Sequence, residues 1–502
     1  MDDNNNLTNT YIGITLGPID RVMSYTQSTK SFWGASYFLS YIGKRMVEDL
    51  FLNKGRRFLK PLLKEEMWSI QDGVGRFPDQ YIFQAKEGDW DSLMTQRDTI
   101  LNELGKQVAL TLKLSEKSDE ITCYLKQVVK IYLLEMQCTE AHAVELCQQQ
   151  LSVMECQDIY PDNECCNYLM KYFEAINQDQ VLLNDAYGAD DPKKRNNNRL
   201  FPTIIERAGA LRDHELKNMN ELNDDAKVSQ LAPIYKYIAF VSADGDNIGK
   251  ALAKLGVKIS DKLLSYNTRI VEVVEKRYGQ VIYAGGDDLV FFAPIADIFL
   301  LIQEIDEMFN QLFSDKEIQS LLTEHKLTTP SLSFGVTIAY HKHPMSESLT
   351  LSEELLHQAK EQGRNRILWN MRKHSGQSIE SPLTKPQLAL ATDLIKGVRT
   401  SNHIFLHSVA HYLHQHQVVI AHLLGGESAE VQLQNYMDST FDDDSHTNHT
   451  SMLQSIRTYL LKESQDHSNK LEVIGRMVAL LRYIELIIKP SAKEQSQKGG
   501  AQ

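Results

Sequence analysis

Apolar and polar positions along the chain change period several times, and each change marks an element. Residues 11–16 form a short apolar run that stops at Gly17-Pro18, which predicts a strand. A helical stretch follows from residue 19 to about 52, where the small residues Gly34, Ala35 and Ser36 allow close packing. After the turn-rich Asp72-Gly73-Val74-Gly75, residues 81–84 read as a second strand. Residues 90–177 carry 3.6-residue apolar spacing and read as helices, and the polar, Asn- and Asp-rich residues 184–198 read as a loop at a domain border.

The next block is the most legible. Apolar strand 237–242 breaks at Asp244, helices run from about 248 to 278, and strand 281–284 turns at Gly285-Gly286 into strand 289–293. A helix over about 295–313, a strand over 332–340 and a helix over about 352–362 complete it. That order builds an antiparallel sheet with helices on one face, a ferredoxin-like arrangement. Beyond about residue 382 the pattern is helical to the end, with interruptions near Gly425 and over 438–451 and a polar tail from 491. The expected fold class is therefore α+β. A first unit covers 10–90, its core continuing with helices to about 115. A helical linker domain covers 116–230, the second unit 231–375, and a helical C-terminal domain 380–490.

Length and composition bound the picture. The 502 residues exceed what one hydrophobic core usually organises, and 42% apolar with 24% charged residues is globular composition. A net charge of −13 repels nucleic acid overall, so an RNA partner has to meet a local basic strip or another subunit. The greasiest stretch, 471–489, is interrupted by Glu472, Arg476, Arg482 and Glu485, so no membrane span is expected. The polar N-terminus has no secretion-signal pattern, which points to the cytoplasm and away from disulfides. Cys123, Cys138, Cys147, Cys156, Cys165 and Cys166 form no C-x-x-C pair, so free thiols are favoured over a zinc site.

The candidate chemistry lies in two turns. Strand 237–242 runs through Ala243 into Asp244-Gly245-Asp246-Asn247-Ile248 and directly into a helix, whose unpaired N–H groups suit phosphate. Some forty residues later Gly285-Gly286-Asp287-Asp288 places two more carboxylates at a tight hairpin, where glycines permit the turn and let a nucleotide approach. Each motif alone is an ordinary turn sequence. Together, on strands that pair, Asp244 and Asp287 with Asp288 converge into a hard oxygen site for Mg2+ or Mn2+, because crowded carboxylates repel unless a cation offsets them. The Gly245 backbone belongs to the same ligand set, and Asp246, Asn247, Ile248, Gly285 and Gly286 would border the nucleotide. Lys360 and Arg364, at a helix C-terminus before Gly363 and Asn365, could reach a triphosphate as point charge and fork. They also complement a helix dipole, and both roles can hold together.

The Asp-Gly-Asp, the Gly-Gly-Asp-Asp and the Ala359-Lys360-Glu361-Gln362-Gly363-Arg364-Asn365 run resemble the palm domain shared by GGDEF-type nucleotide cyclases and the Cas10 proteins of type III CRISPR systems. Leu16-Gly17-Pro18-Ile19-Asp20, the segment from Ser31 through Trp33 and Gly34 to Ser40, and Gly75-Arg76-Phe77-Pro78 resemble the first palm of the Cmr2 branch. The resemblance covers most of residues 10–375. It implies two cyclase-type palms packed face to face with ATP between them, the first degenerate and the second metal-bearing. It also implies assembly with other Cmr subunits, crRNA and target RNA, and adenylate messengers as products. Some members instead join ATP to S-adenosylmethionine. No His-Asp dipeptide of an HD nuclease occurs, so DNA cleavage by this chain is not expected. The alternatives are a silent scaffold subunit or a GGDEF-like dinucleotide cyclase.

Overall fold

The computed structural model describes residues 8–156, 166–189, 201–209, 219–222, 224–255, 257–399, 403–441, 450–466 and 469–491. Two sheets organise them. The first contains β1 (Asn9–Gly17), β2 (Phe58–Lys60), β3 (Gln80–Gln84) and β4 (Lys130–Cys138) in the order β2-β3-β1-β4, all antiparallel. Helix α1 (Thr29–Glu48) links β1 to β2, and α2 (Asp89–Thr111) follows β3. Helix α3 (Glu140–Glu155) follows β4, and its Leu151 packs on Gly13 of β1.

The second sheet contains β5 (Tyr237–Asp246), β6 (Gln280–Gly285), β7 (Asp288–Pro294), β8 (Ser331–Tyr340), β9 (Arg366–Arg372) and β10 (Ser378–Thr384), in the order β10-β9-β8-β5-β7-β6. Its first four strands in sequence lie as fourth-first-third-second, the order of the first sheet. Both units are thus ferredoxin-like, and β9, parallel to β8, and β10 extend the second. Helices α4 (Ile248–Leu255) and α5 (Val257–Lys276) join β5 to β6, α6 (Ile298–Leu312) precedes β8, and α7 (Met345–Glu361) joins β8 to β9. After β10 come α8 (Lys385–Val398) and a helical region ending in α9 (Lys470–Ile488).

Strand β5 is apolar along most of its length because both its faces are covered. Tyr237, Ala239, Val241 and Ala243 join the core built with α5, α6 and the C-terminal helices. Ile238 and Phe240 point the other way, into a core shared with the first palm that also holds Ile282 and Phe292. Each of these four is at most 1% exposed, and burial of such a side chain contributes about 1.5–3 kcal/mol. The palms are therefore joined by one continuous apolar core.

Three expectations are corrected. Residues 130–138, read as helix within 90–177, form β4, so the first palm extends well past residue 115 and the region 116–230 is not all helical. Ile131, Leu133, Leu134 and Met136 fit either period, and pairing with the distant β1 decides. Residues 380–384, read as the start of the helical C-terminal domain, belong instead to edge strand β10 (Ser378–Thr384), with Pro382 tolerated there. Residues 184–187 end a helix, Gln180–Tyr187, rather than open a loop. Residues 190–198 of that loop, Cys165 and the tail beyond 491 lie outside the described residues. Among the described residues no helix is long and apolar enough to cross a membrane, and α9 is buried in the core.

Candidate active site

Strand register sets the geometry. Ala243 pairs with Leu289 across β5 and β7, so Asp244 and Asp288 sit side by side where both strands leave the sheet. The β6–β7 connection is only Gly286-Asp287, and Gly286 adopts φ +63°, which suits glycine. Asn267 of α5 donates to the Gly286 carbonyl at 3.0 Å and braces the hairpin. Asp287 lies on Gly245: a Cβ there would stand 2.6 Å from the Asp287 Cβ and 2.6 Å from Ile248. Gly245 is thus required for close approach of the two turns.

The carboxylates do not share one environment. Asp244 makes an ion pair with Lys360 from the end of α7. Burial, then the Asp244 charge, push the Asp287 carboxyl up to about 7, against the pull of Lys60 and Lys360. Asp288 opens onto the cleft at the head of β7, yet the walls remove enough water to hold its carboxyl well above the usual range, with Asp287 and Asp244 adding repulsion. Three acids crowd a space that Lys360 neutralises only in part. Among the described residues no group of three or more acid, histidine or cysteine side chains is arranged to hold a metal ion. The donor chemistry nevertheless suits a hard divalent cation, since only oxygens are offered and the excess charge is negative.

Asp246, expected at the nucleotide, faces the protein instead. It is 1% exposed and accepts from Ser331 Oγ at 2.8 Å, Ser333 Oγ at 2.9 and 3.0 Å, and the Asn365 N–H at 2.9 Å. Arg364 Nε lies 3.9 Å from it. Gly363, Arg364 and Asn365 have φ of +117°, +61° and +51°, a strained turn that Asp246 pins in place. Asp246 is a positioning residue for the Lys360–Arg364 turn. Asn247, at φ +64°, reverses the chain into α4, where Ile248 is buried.

The opposite wall comes from the first palm, and the motif reading did not foresee its charge. Residues 61–79, between β2 and β3, are anchored on α1: Trp33 Nε1 donates to the Gly73 carbonyl at 2.6 Å, and Ser40 Oγ accepts the Arg76 and Phe77 N–H groups at 3.0 and 2.9 Å. The Ala284 N–H then donates to the Gly75 carbonyl at 3.0 Å, which stitches this wall to β6. Between the wall and the three acids lies a cavity of about 240 Å3 lined also by Lys60, Lys64 and Arg76. Arg76 is 4% exposed; it pairs with Asp72, while Nε and Nη1 have no hydrogen-bond partner among the described residues. A buried cation with unused donors at a cleft is costly unless an anion meets it. Beside this cavity lies a largely apolar pocket of about 280 Å3, lined by Leu16, Phe32, Leu39, Phe77, Ile282 and Val290. Asp288, Pro78 and Asp79 border both spaces.

Residues 237–368 match the family described as Cas10/Cmr2, second palm domain. The CRISPR system Cmr subunit Cmr2 of Pyrococcus furiosus is 26% identical over 205 residues, 32% of this chain and 22% of that protein, so the match spans about a fifth of the relative. The fold is shared with a chain of the type III-B Cmr-beta particle in its apo state (TM-score 0.58, 10% identity, 86% of this chain and 77% of that one). The particle bound to cognate target RNA also matches (0.54, 11%, 87% and 78%). So does a Csm1–Csm4 cassette in complex with AMPPNP (0.53, 12%, 96% and 70%). Two units of one topology, with acids at the mouth of the second, agree with these likenesses, and residues 237–368 are similar to the second palm domain of the Cas10/Cmr2 family.

Proposed function

We propose that the chain is the large subunit of a type III-B CRISPR effector and a nucleotidyltransferase that makes an adenylate messenger from ATP when the complex holds target RNA. One observation carries this reading. Asp244, Asp287 and Asp288 converge on a cavity whose far wall is cationic and whose side opens into an apolar pocket. A triphosphate suits the first space and a purine the second, with the α-phosphate between them near Asp288.

Asp244, Asp287, Asp288 and the Gly245 carbonyl would hold Mg2+ or Mn2+. A divalent cation there would lower the pKa of an attacking hydroxyl and neutralise charge on the phosphates. Lys360 and Arg76 meet phosphate oxygens from opposite sides, and the Asp246-pinned turn aims Lys360 and Arg364. The apolar pocket excludes water and orients the base. In the reaction a ribose hydroxyl oxygen bonds to the α-phosphorus of ATP, the bond to the β-phosphate oxygen breaks, pyrophosphate leaves, and the hydroxyl proton passes to water. The fold-sharing cassette with AMPPNP supports ATP as substrate, and the Cmr-beta particle with target RNA supports target RNA and the other Cmr subunits as partners.

Pyrophosphate release from ATP by the assembled, target-bound complex tests the activity, and its absence in a metal-replete preparation would favour a silent scaffold. Turnover of GTP by the chain without crRNA would favour a GGDEF-like cyclase. Mass spectrometry of products made with and without S-adenosylmethionine separates cyclic oligoadenylates from a conjugate.

A further inference from the structure

A third cavity, of about 510 Å3, lies at the opposite end of β5, between the second palm and α9. Tyr237 and Asp244 are seven residues apart on that strand, so roughly 23 Å separates this cavity from the acids. Its volume falls within the range of about 300–1,000 Å3 typical of small-molecule pockets. Its lining inverts the charge of the chain. Lys236, Lys373, Arg482 and Lys489 face it, with Glu485 as the one carboxylate, in a protein of net charge −13.

Glu485 is already committed. It accepts from Arg482 at 3.0 Å and stands 3.0 Å from His407 Nδ1. Lys236 donates to the Ser229 carbonyl at 3.2 Å. The ammonium groups of Lys373 and Lys489 have no hydrogen bond or ion pair among the described residues. Burial and Lys489 hold Lys236 below the usual lysine range. Burial, with Arg482 and Lys489 against Glu485, does the same to Lys373. Cations gathered from the start of β5, the β9–β10 turn and the end of α9 repel one another, and among the described lining residues only Glu485, already shared by Arg482 and His407, offsets them. Aromatic groups complete the wall: Tyr340 packs on His374 with ring centroids 4.6 Å apart, and the Tyr237 hydroxyl accepts the His374 N–H at 3.1 Å.

We infer that this cavity is a binding site for a phosphorylated nucleoside, its phosphate held by Lys236, Lys373 and Lys489 and its base against Tyr340 and His374. The nucleoside comes either from a free nucleotide or from a 5′-phosphorylated RNA end, which present the same chemistry. The site does not depend on the proposed catalysis, because none of these residues lines the acidic cleft.

The test uses the full chain and its K373E/K489E variant. Two probes are titrated at about 0.1 M salt: a 3′-labelled, 5′-phosphorylated hexauridylate by fluorescence anisotropy and adenosine 5′-monophosphate by calorimetry. The expected result is that wild type binds at least one probe and that the variant binds it at least about tenfold more weakly, with a shallower salt dependence. Displacement of the RNA by the mononucleotide identifies a free nucleotide as ligand, whereas RNA binding without displacement identifies an RNA end. A variant with unchanged thermal midpoint but wild-type affinity for both probes overturns the inference, as does failure of wild type to bind either. The milder K373Q/K489Q variant repeats the comparison should charge reversal impair folding.

Discussion

The two palms share a strand order and diverge at two corresponding places. The first strand of the first palm ends in Gly17-Pro18, and that of the second in Asp244-Gly245-Asp246. The second-to-third strand link is residues 61–79 in the first palm and Gly286-Asp287 in the second. Where the second palm has a tight acidic hairpin, the first has a long segment that reaches across the interface. Its Gly75 pairs with Tyr283 of the neighbour, and its Arg76 faces the neighbour's acids across the cleft. The first palm, without the acidic motif, thus supplies the cationic wall of the cavity that the second palm lines with acids.

The most severe break removes the acidic half. D287A/D288A is expected to lower pyrophosphate release on the order of 10^3-fold or more, several kcal/mol of transition-state stabilisation, and chelation of divalent ions to do the same. Retained turnover in either experiment would remove the proposed chemistry.

Removing the support behind that half comes next. D246A leaves Ser331, Ser333 and the Asn365 N–H without their acceptor and is expected to destabilise the chain by about 2–3 kcal/mol in urea unfolding. D246N keeps the shape and should cost less. Equal effects of the two would contradict a role through hydrogen bonding.

The cationic half is sharpened by R76A in the first palm. A rise in KM for ATP of about tenfold, larger than the fall in kcat, is expected if Arg76 meets phosphate in ground and transition states alike. An unchanged KM would make the first palm a passive wall.

The smallest effect concerns the strand ends away from the cleft. His341 follows β8, the fourth strand of the second palm, where the fourth strand of the first palm is followed by Thr139. Burial first, then nearby cations, push its imidazole down to about 4. The folded value lies below the unfolded one of about 6.5, so the contribution is complete above that pH and is lost as pH falls toward 4. Because the ring is only partly enclosed, about 1 kcal/mol is expected to vanish between pH 7 and 5, and H341Q should flatten that slope.

How much of this was legible follows from the range of each interaction. The second palm was readable because each turn carries its own chemistry: glycines where φ is positive, acids where apolar strands stop. Strand β4 was not, since Ile131, Leu133, Leu134 and Met136 satisfy two periods and only register with β1 selects one. Asp246 was placed at the nucleotide because adjacency in sequence stood in for adjacency in space. Its true partners, Ser331, Ser333 and Asn365, are 85 to 119 residues away.

The sequence by itself determined strands β5 to β8 of the second palm, the presence of three acids at two strand ends, and the need for small residues between them, because those depend on local backbone freedom and hydrophobic period. Tertiary structure alone decided which acid faces the cleft, that the first palm supplies Arg76 and Lys60, and that lysines from three distant segments meet behind β5. Charges act through space, and their proximity is set by the packing of sheets and helices that no local pattern encodes.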